Sequence, residues 1–491
     1  MSVRERLGSL FKGQEELDLT SGEIAKPLFF LSFPIIITNL LQVMYNLADT
    51  FWLGQFDSPQ PLAAITFGFP LVFLLISLGM GLAVAGSVLV AQFTGADEPR
   101  KAEYAASQTV TFAFLASALL GVLGYFAVEE FLALLGAKGR VLLLATEYME
   151  VVALGLPFMF GFFVFISLMR GAGDTITPML VMFGTVVLNI ALDPFLIFGW
   201  GPFPALGVQG AAVATVFSRG LAMVVGMAIM LAGTRGVRIR PGEMVPDLEY
   251  VQRLLRIGVP ASVEGTGRAL SVNALLFIVA TFSVTVEAAF GVGVRVFSLI
   301  FMPAIAVDRG VETMTGQNIG AGKPDRAAAA NHFAAKASFA ILALLGVVIF
   351  AAAPAVMDLF TDEPGVIREG ATFLRWVAPT FGFIGVVRAY SGGFRGAGKT
   401  LTAAAVSITM LAVIRLPVAW FASRGLAPEG YWFLSTPSPT GIWMAFAVSN
   451  VAAAVIAFLW FERGTWRKAD LTEEDVGSGA EDVGEASPTD D

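Results

Sequence analysis

A short polar stretch inside one apolar segment carries the residue types best suited to ion chemistry. Asn189, Asp193 and Pro194 lie in the apolar run Ile176–Phe198, which is long enough to cross a bilayer as a helix. Asn189 and Asp193 are at positions i and i+4, so a helix presents both side chains on one face. A carboxylate inside a membrane segment is costly and by default marks an ion or substrate path. We therefore predict that both residues bind a coupling ion and that Pro194 loosens the adjacent turn.

A second acid, Asp49, has a similar position near the end of the first apolar run. If the first and fifth runs cross the membrane in the same direction, Asp49 and Asp193 lie at the same depth, and Tyr148 of the fourth run lies near them. Two carboxylates with an amide and a phenol could hold a proton or a Na⁺. The alternative is that Asp49 is only hydrated at the membrane interface. Pro34, earlier in the first run, is a candidate hinge, although many membrane helices contain a static proline.

The composition predicts an integral membrane protein. Of the 491 residues, 56% are hydrophobic and 14% are charged, whereas a soluble chain has about 25% charged residues. The chain has no cysteine, which excludes disulfides, thiolate metal sites and cysteine nucleophiles. The net charge of -8 comes largely from the last residues, which have the composition of a disordered tail.

Twelve apolar runs divide into two related halves. The motif that begins at Gln92 (Gln-x-x-Gly-Ala) recurs at Gln317, and the motif that begins at Arg170 (Arg-Gly-Ala-Gly-x-Thr) recurs at Arg395, both after 225 residues. Each half holds an even number of runs, so the halves point the same way around an axis along the membrane normal. This predicts an all-α integral membrane protein with twelve transmembrane helices in two parallel six-helix repeats, arranged as two lobes around a central cleft.

The distribution of basic residues predicts the orientation. Lysines and arginines recur in every second connection, on the same side as both ends of the chain. By the positive-inside rule, both termini are cytoplasmic. The predicted division is a cytoplasmic N-terminus (1–26), an N-lobe (27–233), a cytoplasmic linker (234–252), a C-lobe (253–462) and an acidic disordered tail (463–491).

The second half lacks counterparts of the two acids but has charges of its own. Glu264 and Arg268 have the i, i+4 spacing of a helical ion pair, which could be structural or could face a substrate cleft. Asp308, Arg309 and Glu312 fall near the cytoplasmic end of the eighth run, where we expect snorkelling or hydration.

A phosphate-loop pattern in the second half has the wrong context. Residues Gly393 to Thr400 fit G-x-x-x-x-G-K-[ST], but that pattern requires a preceding strand. Here it follows a membrane run, and the repeat copy has Asp174 in place of Lys399. We interpret it as an interhelical turn, which removes the argument for an ATP-hydrolysing enzyme.

Together these motifs resemble the multidrug and toxic compound extrusion (MATE) family over about residues 25 to 465. The segments around Asp49 (Tyr-Asn-Leu-Ala-Asp-Thr-Phe-Trp-Leu-Gly) and Asp193 (Asn-x-x-x-Asp-Pro) look like its prokaryotic DNA-damage-inducible-F branch, archaeal members in particular. The resemblance implies a V-shaped transporter that exports organic cations and other drugs against an inward flow of H⁺ or Na⁺. In the family, acids on the first and fifth helices carry the coupling ion.

The residues and the resemblance predict a multidrug efflux antiporter of the cell membrane that works by alternating access and is not an enzyme. The expected coupling-ion ligands are Asp49, Asp193, Asn189 and Tyr148, and the expected hinges are Pro34 and Pro194. We expect no cofactor other than a bound Na⁺ at the two acids, no nucleic acid partner, contact with membrane lipid and a monomeric state.

A flippase for a lipid-linked precursor remains open as the alternative. It would need a cationic cleft for a pyrophosphate group, and the second half supplies intramembrane arginines at positions 268, 295, 388 and 415. The physiological substrate and the choice between H⁺ and Na⁺ are not readable from the residues.

Overall fold

The computed structural model describes residues 18–425, 437–468 and 471. These residues form helices and connecting turns, without a strand among them, as the all-α prediction requires. Residues 1–17 of the predicted N-terminal segment lie outside the described residues. The same holds for residues 469–470 and 472–491 of the predicted acidic tail.

Each predicted membrane run coincides with a long helix. The first half contains α1 Ala25–Leu53, α2 Gln60–Gly95, α3 Pro99–Leu134, α4 Gly139–Gly171, α5 Ile176–Phe198 and α6 Val208–Ala232. The second half contains α7 Leu248–Val279, α8 Val284–Gly320, α9 Pro324–Asp358, α10 Pro364–Gly396, α11 Thr400–Ser423 and α12 Thr440–Glu462. Of these described helices, eleven are long and apolar enough to span a membrane by themselves. The other is α7, whose charged residues lower its mean hydropathy.

Two helices of the second half depart from α-helical geometry. A 3₁₀ turn at Ala378–Thr380 interrupts α10, and a π-helical segment at Thr409–Arg415 lies inside α11. Such segments re-aim the side chains around them and occur often at functional sites.

The repeated Arg-Gly-Ala-Gly motifs form equivalent turns. Gly173 and Gly398 have φ angles of 94° and 76°, a left-handed conformation that glycine adopts without steric cost. In the second copy, the phosphate-loop lookalike spans the end of α10, this turn and the start of α11. It is therefore an interhelical turn, as predicted.

The two lobes meet through reciprocal hydrogen bonds between the repeated motifs. The Gln92 side chain donates to the carbonyl of Gly396 at 3.0 Å, and the Gln317 side chain donates to the carbonyl of Gly171 at 3.1 Å. The two bonds are related by the 225-residue repeat. The motifs thus form a pseudo-symmetric joint at the end of the bundle nearest the linker.

Glycines bring the backbones of this joint into direct contact. A Cβ on Gly95 of α2 would lie 1.9 Å from the carbonyl oxygen of Gln317, and a Cβ on Gly320 of α8 would lie 1.9 Å from that of Gln92. Toward the other end, Phe73 on α2 is exposed, as is Leu270 on α7. The contacts between the lobes therefore run from the joint to Ser77 and Gly265, near the middle of α2 and α7, as expected for a V-shaped pair of lobes.

A side chain at Gly320 is expected to force the joint apart. Because the backbone of α2 occupies the space of a Cβ, Gly320→Leu should destabilise the protein by about 1–3 kcal/mol or more. Thermal unfolding in detergent would measure the loss. The control is Gly291→Leu on the same helix, where an added Cβ meets nothing within 4 Å. Equal melting temperatures for the two variants would contradict the close contact.

Candidate functional site

The structure brings the two acids of the first half together inside the N-lobe. Asp49 of α1 and Asp193 of α5 lie close enough for their carboxyl groups to interact electrostatically. The Asn189 side chain donates to Asp193 Oδ1 at 3.2 Å, and Thr215 Oγ1 of α6 donates to Asp49 Oδ2 at 3.4 Å. Asp193 and Asn189 are fully buried, with 0% exposure. Helices far apart in sequence thus supply one polar cluster.

The acid pair lacks hydrogen-bond donors for part of its surface. Asp49 Oδ1 and Asp193 Oδ2 are buried without a donor among the described residues. Two ionised carboxylates close together repel each other strongly where water is scarce. One proton shared between them, or one monovalent cation bound by them, would relieve that repulsion.

A cavity of about 350 Å³ in the N-lobe reaches Asp49 of this pair. Asp49 and Tyr148 line it, together with Gln42, Thr215 and Arg219. Tyr148 therefore lies in the wall of the same cavity, although no hydrogen bond joins it to either acid among the described residues. We call this space the N-lobe cavity.

Arg219 of α6 is a prominent residue of this cavity that the sequence analysis missed. Its guanidinium donates from Nη2 to Gln42 Oε1 at 3.0 Å and lies 4.7 Å from the ring of Tyr45. It is 4% exposed and contributes a fixed positive charge beside Asp49. The sequence did contain a sign of its role: Arg219 is the one charged residue from Val208 to Ala232.

The two candidate hinge prolines lie inside continuous helices. Pro34 and Pro194 are buried within α1 and α5. Thr38 Oγ1 donates to the carbonyl of Pro34 at 2.9 Å, and Pro194 directly follows the acid Asp193. Bending of α1 at Pro34 or of α5 at Pro194 would move an acid of the pair. In this structure neither proline interrupts its helix.

A buried ionic cluster in the C-lobe corrects one expectation. Arg395 of α10 contacts Asp308 and lies 3.0 Å from Glu264 Oε2 and 3.1 Å from Glu312 Oε2. Asp308 and Glu312 are 2% and 1% exposed. The prediction of hydration or snorkelling was wrong for Asp308 and Glu312, whereas Arg309 keeps a side-chain exposure of 21%. Their shared partner comes from another helix, so their spacing along α8 does not reveal it.

Further arginines surround this cluster. Arg268 lies 3.1 Å from Glu264, Arg309 lies 2.8 Å from Glu312, and Arg388 lies 3.7 Å from Asp308. Glu264 and Arg268 thus form the ion pair that their spacing favours. Counting Arg395, four arginines face three carboxylates in this group.

A second cavity, of about 260 Å³, lies next to the cluster in the C-lobe. Arg268, Arg388 and Arg415 line it, among phenylalanines of α8 and α12. Arg295 does not line it and is exposed on α8. The four arginines suggested for a cationic cleft therefore do not form one group. We call this space the C-lobe cavity.

The chain matches one family model twice and resembles proteins of that family over most of its length. The model described as MatE matches residues 34–195 and 260–421, once in each half. A probable multidrug resistance protein, YoeA of Bacillus subtilis (strain 168), is 28% identical over 89% of this chain and 93% of its own length. A FAD transporter of Shewanella oneidensis is 28% identical over 82% of this chain and 88% of its own length.

A solved structure has the same fold. It is an outward-facing conformation of a multidrug resistance MATE family transporter of the MOP superfamily, with a TM-score of 0.82 and 26% identity, covering 92% of this chain and 98% of that one. The paired family match, the two-lobe fold and the relatives agree. This chain belongs to the MatE family of membrane transporters, the MATE family that its motifs resemble.

Proposed function

We propose that this transporter exports organic cations and related drugs in exchange for inward H⁺ or Na⁺. The observation that carries the proposal is the polar cluster of Asp49, Asp193, Asn189 and Thr215 beside the N-lobe cavity. A buried pair of acids can take up one positive charge and release it again. Several relatives are named multidrug resistance or export proteins, which supports the substrate class.

The proposed orientation places both termini and the linker in the cytoplasm. The basic residues of the connections favour it. In this orientation the joint formed by Gln92 and Gln317 closes the cytoplasmic end, and the cleft between the lobes opens outward. An ion from outside then reaches Asp49, and through it the acid pair, by way of the N-lobe cavity.

The proposed cycle couples ion binding to a change in the lobes. Binding at Asp49 and Asp193 removes negative charge from the N-lobe cavity, and bending near Pro34 or Pro194 would move α1 or α5. The lobes then separate at the joint and close at the other end. Ion and drug are exchanged because they favour different states or compete for one space.

A second candidate is the transport of an anionic or lipid-linked substrate. The C-lobe cavity with its three arginines favours it, and one relative is named a FAD transporter. Under this reading the N-lobe acids would still couple the ion, but the transported molecule would carry negative charge.

Transport in liposomes distinguishes these candidates. The purified protein would be reconstituted and a fluorescent organic cation followed under a Na⁺ gradient and a pH gradient imposed separately. We expect uptake or release driven by one of the gradients and absent from protein-free liposomes. If neither gradient moves the cation while a fluorescent organic anion is moved, the second candidate replaces the first.

A further inference from the structure

The C-lobe cavity borders an excess of positive charge. Four arginines of the ionic cluster face three carboxylates, and two of those arginines, Arg268 and Arg388, also line the cavity. Arg415 lines it as well and has no carboxylate partner among the described residues. Unbalanced charge inside membrane helices is costly and usually marks a functional path.

Arg415 is held rigidly at the end of the π-helical segment of α11. Its Nε donates to Ser449 Oγ at 2.9 Å and its Nη2 to Asn450 Oδ1 at 2.8 Å. Asn450 in turn donates to Thr380 Oγ1 at 2.9 Å, at the 3₁₀ turn of α10. The two irregular segments therefore meet at this arginine and orient it.

One donor of this oriented guanidinium is free for a ligand. Nη1 of Arg415 has no acceptor among the residues that the structure describes, and the residue is 6% exposed. Because Arg415 lines the C-lobe cavity, this charged donor is available to an acceptor inside the cavity. A bound anion would satisfy it.

The rest of the cavity wall is mostly aromatic and aliphatic, with four serines. Phe290, Phe297, Phe301 and Phe446 line it, and the rings of Phe297 and Phe301 are 4.3 Å apart. The guanidinium of Arg415 lies 4.1 Å from the ring centre of Phe446. A volume of about 260 Å³ lies just below the usual range for small-molecule pockets. The space suits one or two fused rings.

We propose that the C-lobe cavity is a binding site for organic anions with a flat apolar body. Arg415 binds the carboxylate, sulfonate or phosphate group, Arg388 adds positive charge to the cavity wall, and the phenylalanines hold the ring system. Arginine suits this role because its planar donors match such oxyanions in pairs. The anion is either a free small molecule or the phosphate group of a lipid. This inference rests on the second candidate function, the transport of an anionic substrate, and is independent of the cation exchange proposed for the N-lobe.

Two probes with the same ring and opposite charge test the site. Naphthalene-2-sulfonate and naphthalen-2-yl-trimethylammonium would be titrated calorimetrically into the full-length protein in phosphatidylcholine nanodiscs. We expect saturable sulfonate binding that weakens about tenfold or more in Arg415→Gln, while the ammonium affinity stays unchanged. Arg388→Gln is a second variant, since Asp308 keeps Arg395 as a partner. Arg295→Gln, on an exposed arginine outside the cavity, should leave both affinities unchanged.

The outcomes separate the site from its ligand source and from cation export. Competition by phosphatidate added to the nanodiscs would support the site with a lipid phosphate as ligand, and sulfonate binding without such competition would support it with a free anion. The proposal is overturned if sulfonate binding is absent, or if it is equal in the wild type and in both cavity variants. Because the titration requires no transport, that failure would leave the proposed cation exchange untouched.

Discussion

Replacing Asp193 with asparagine is expected to abolish gradient-driven export of an organic cation. Asparagine keeps the size of the side chain and can still bond to Asn189. It cannot take up a proton or neutralise a Na⁺. The remaining acid, Asp49, then has no second carboxylate with which to share a bound proton or Na⁺. We expect initial rates in liposomes to fall on the order of 100-fold, near the upper end of typical coupling free energies. Asp49→Asn should have the same effect.

The matched control is Asp57→Asn, which changes an exposed acid in the connection after α1. It should export at the wild-type rate under the same gradient. Size-exclusion profiles would establish that each variant is folded. Wild-type export by folded Asp193→Asn would exclude Asp193 as a coupling residue.

Replacing Arg395 with methionine is expected to destabilise the C-lobe severely. Arg395 is the shared partner of Glu264, Asp308 and Glu312, and methionine would leave those carboxylates without their central cation. Removing one partner from a buried ion pair typically costs about 3–5 kcal/mol. The loss would be measured as a lower melting temperature in detergent and a lower yield of monodisperse protein.

Two variants make this result specific. Arg467→Met removes an arginine that pairs with Asp325 at the surface, where the side chains are 42% and 92% exposed, so it should cost about 1 kcal/mol or less. Arg395→Lys keeps the charge but cannot contact three carboxylates with one planar group, so it should recover only part of the stability. A melting temperature of Arg395→Met equal to that of Arg467→Met would refute the structural role of the cluster.

The turns between helices show how far repeated motifs alone can be interpreted. The spacing of Arg170 and Arg395 predicted two related halves, and the structure confirms equivalent turns at Gly173 and Gly398. The motifs did not reveal that Gln92 and Gln317 join the lobes across the repeat axis. A hydrogen bond between helices depends on how two lobes dock, which no local spacing contains.

The N-lobe residues also show what local spacing predicts and what it does not. The i, i+4 spacing of Asn189 and Asp193 and the positions of Asp49 and Tyr148 were sufficient to predict a shared layer. Arg219 was overlooked, although it lines the same cavity, because a single arginine in a membrane run does not indicate which neighbour it faces.

The sequence by itself determined the membrane class, the twelve helices and the two halves. These follow from the hydropathy of each segment, the 225-residue repeat of the motifs and the distribution of charge, all of which can be read along the chain. Only the tertiary structure decided which charges share a partner, as when Arg395 gathers acids from α7 and α8, and which line a cavity, as Arg415 does and Arg295 does not. The reason is physical, because burial and pairing arise from helices that approach one another from distant parts of the chain.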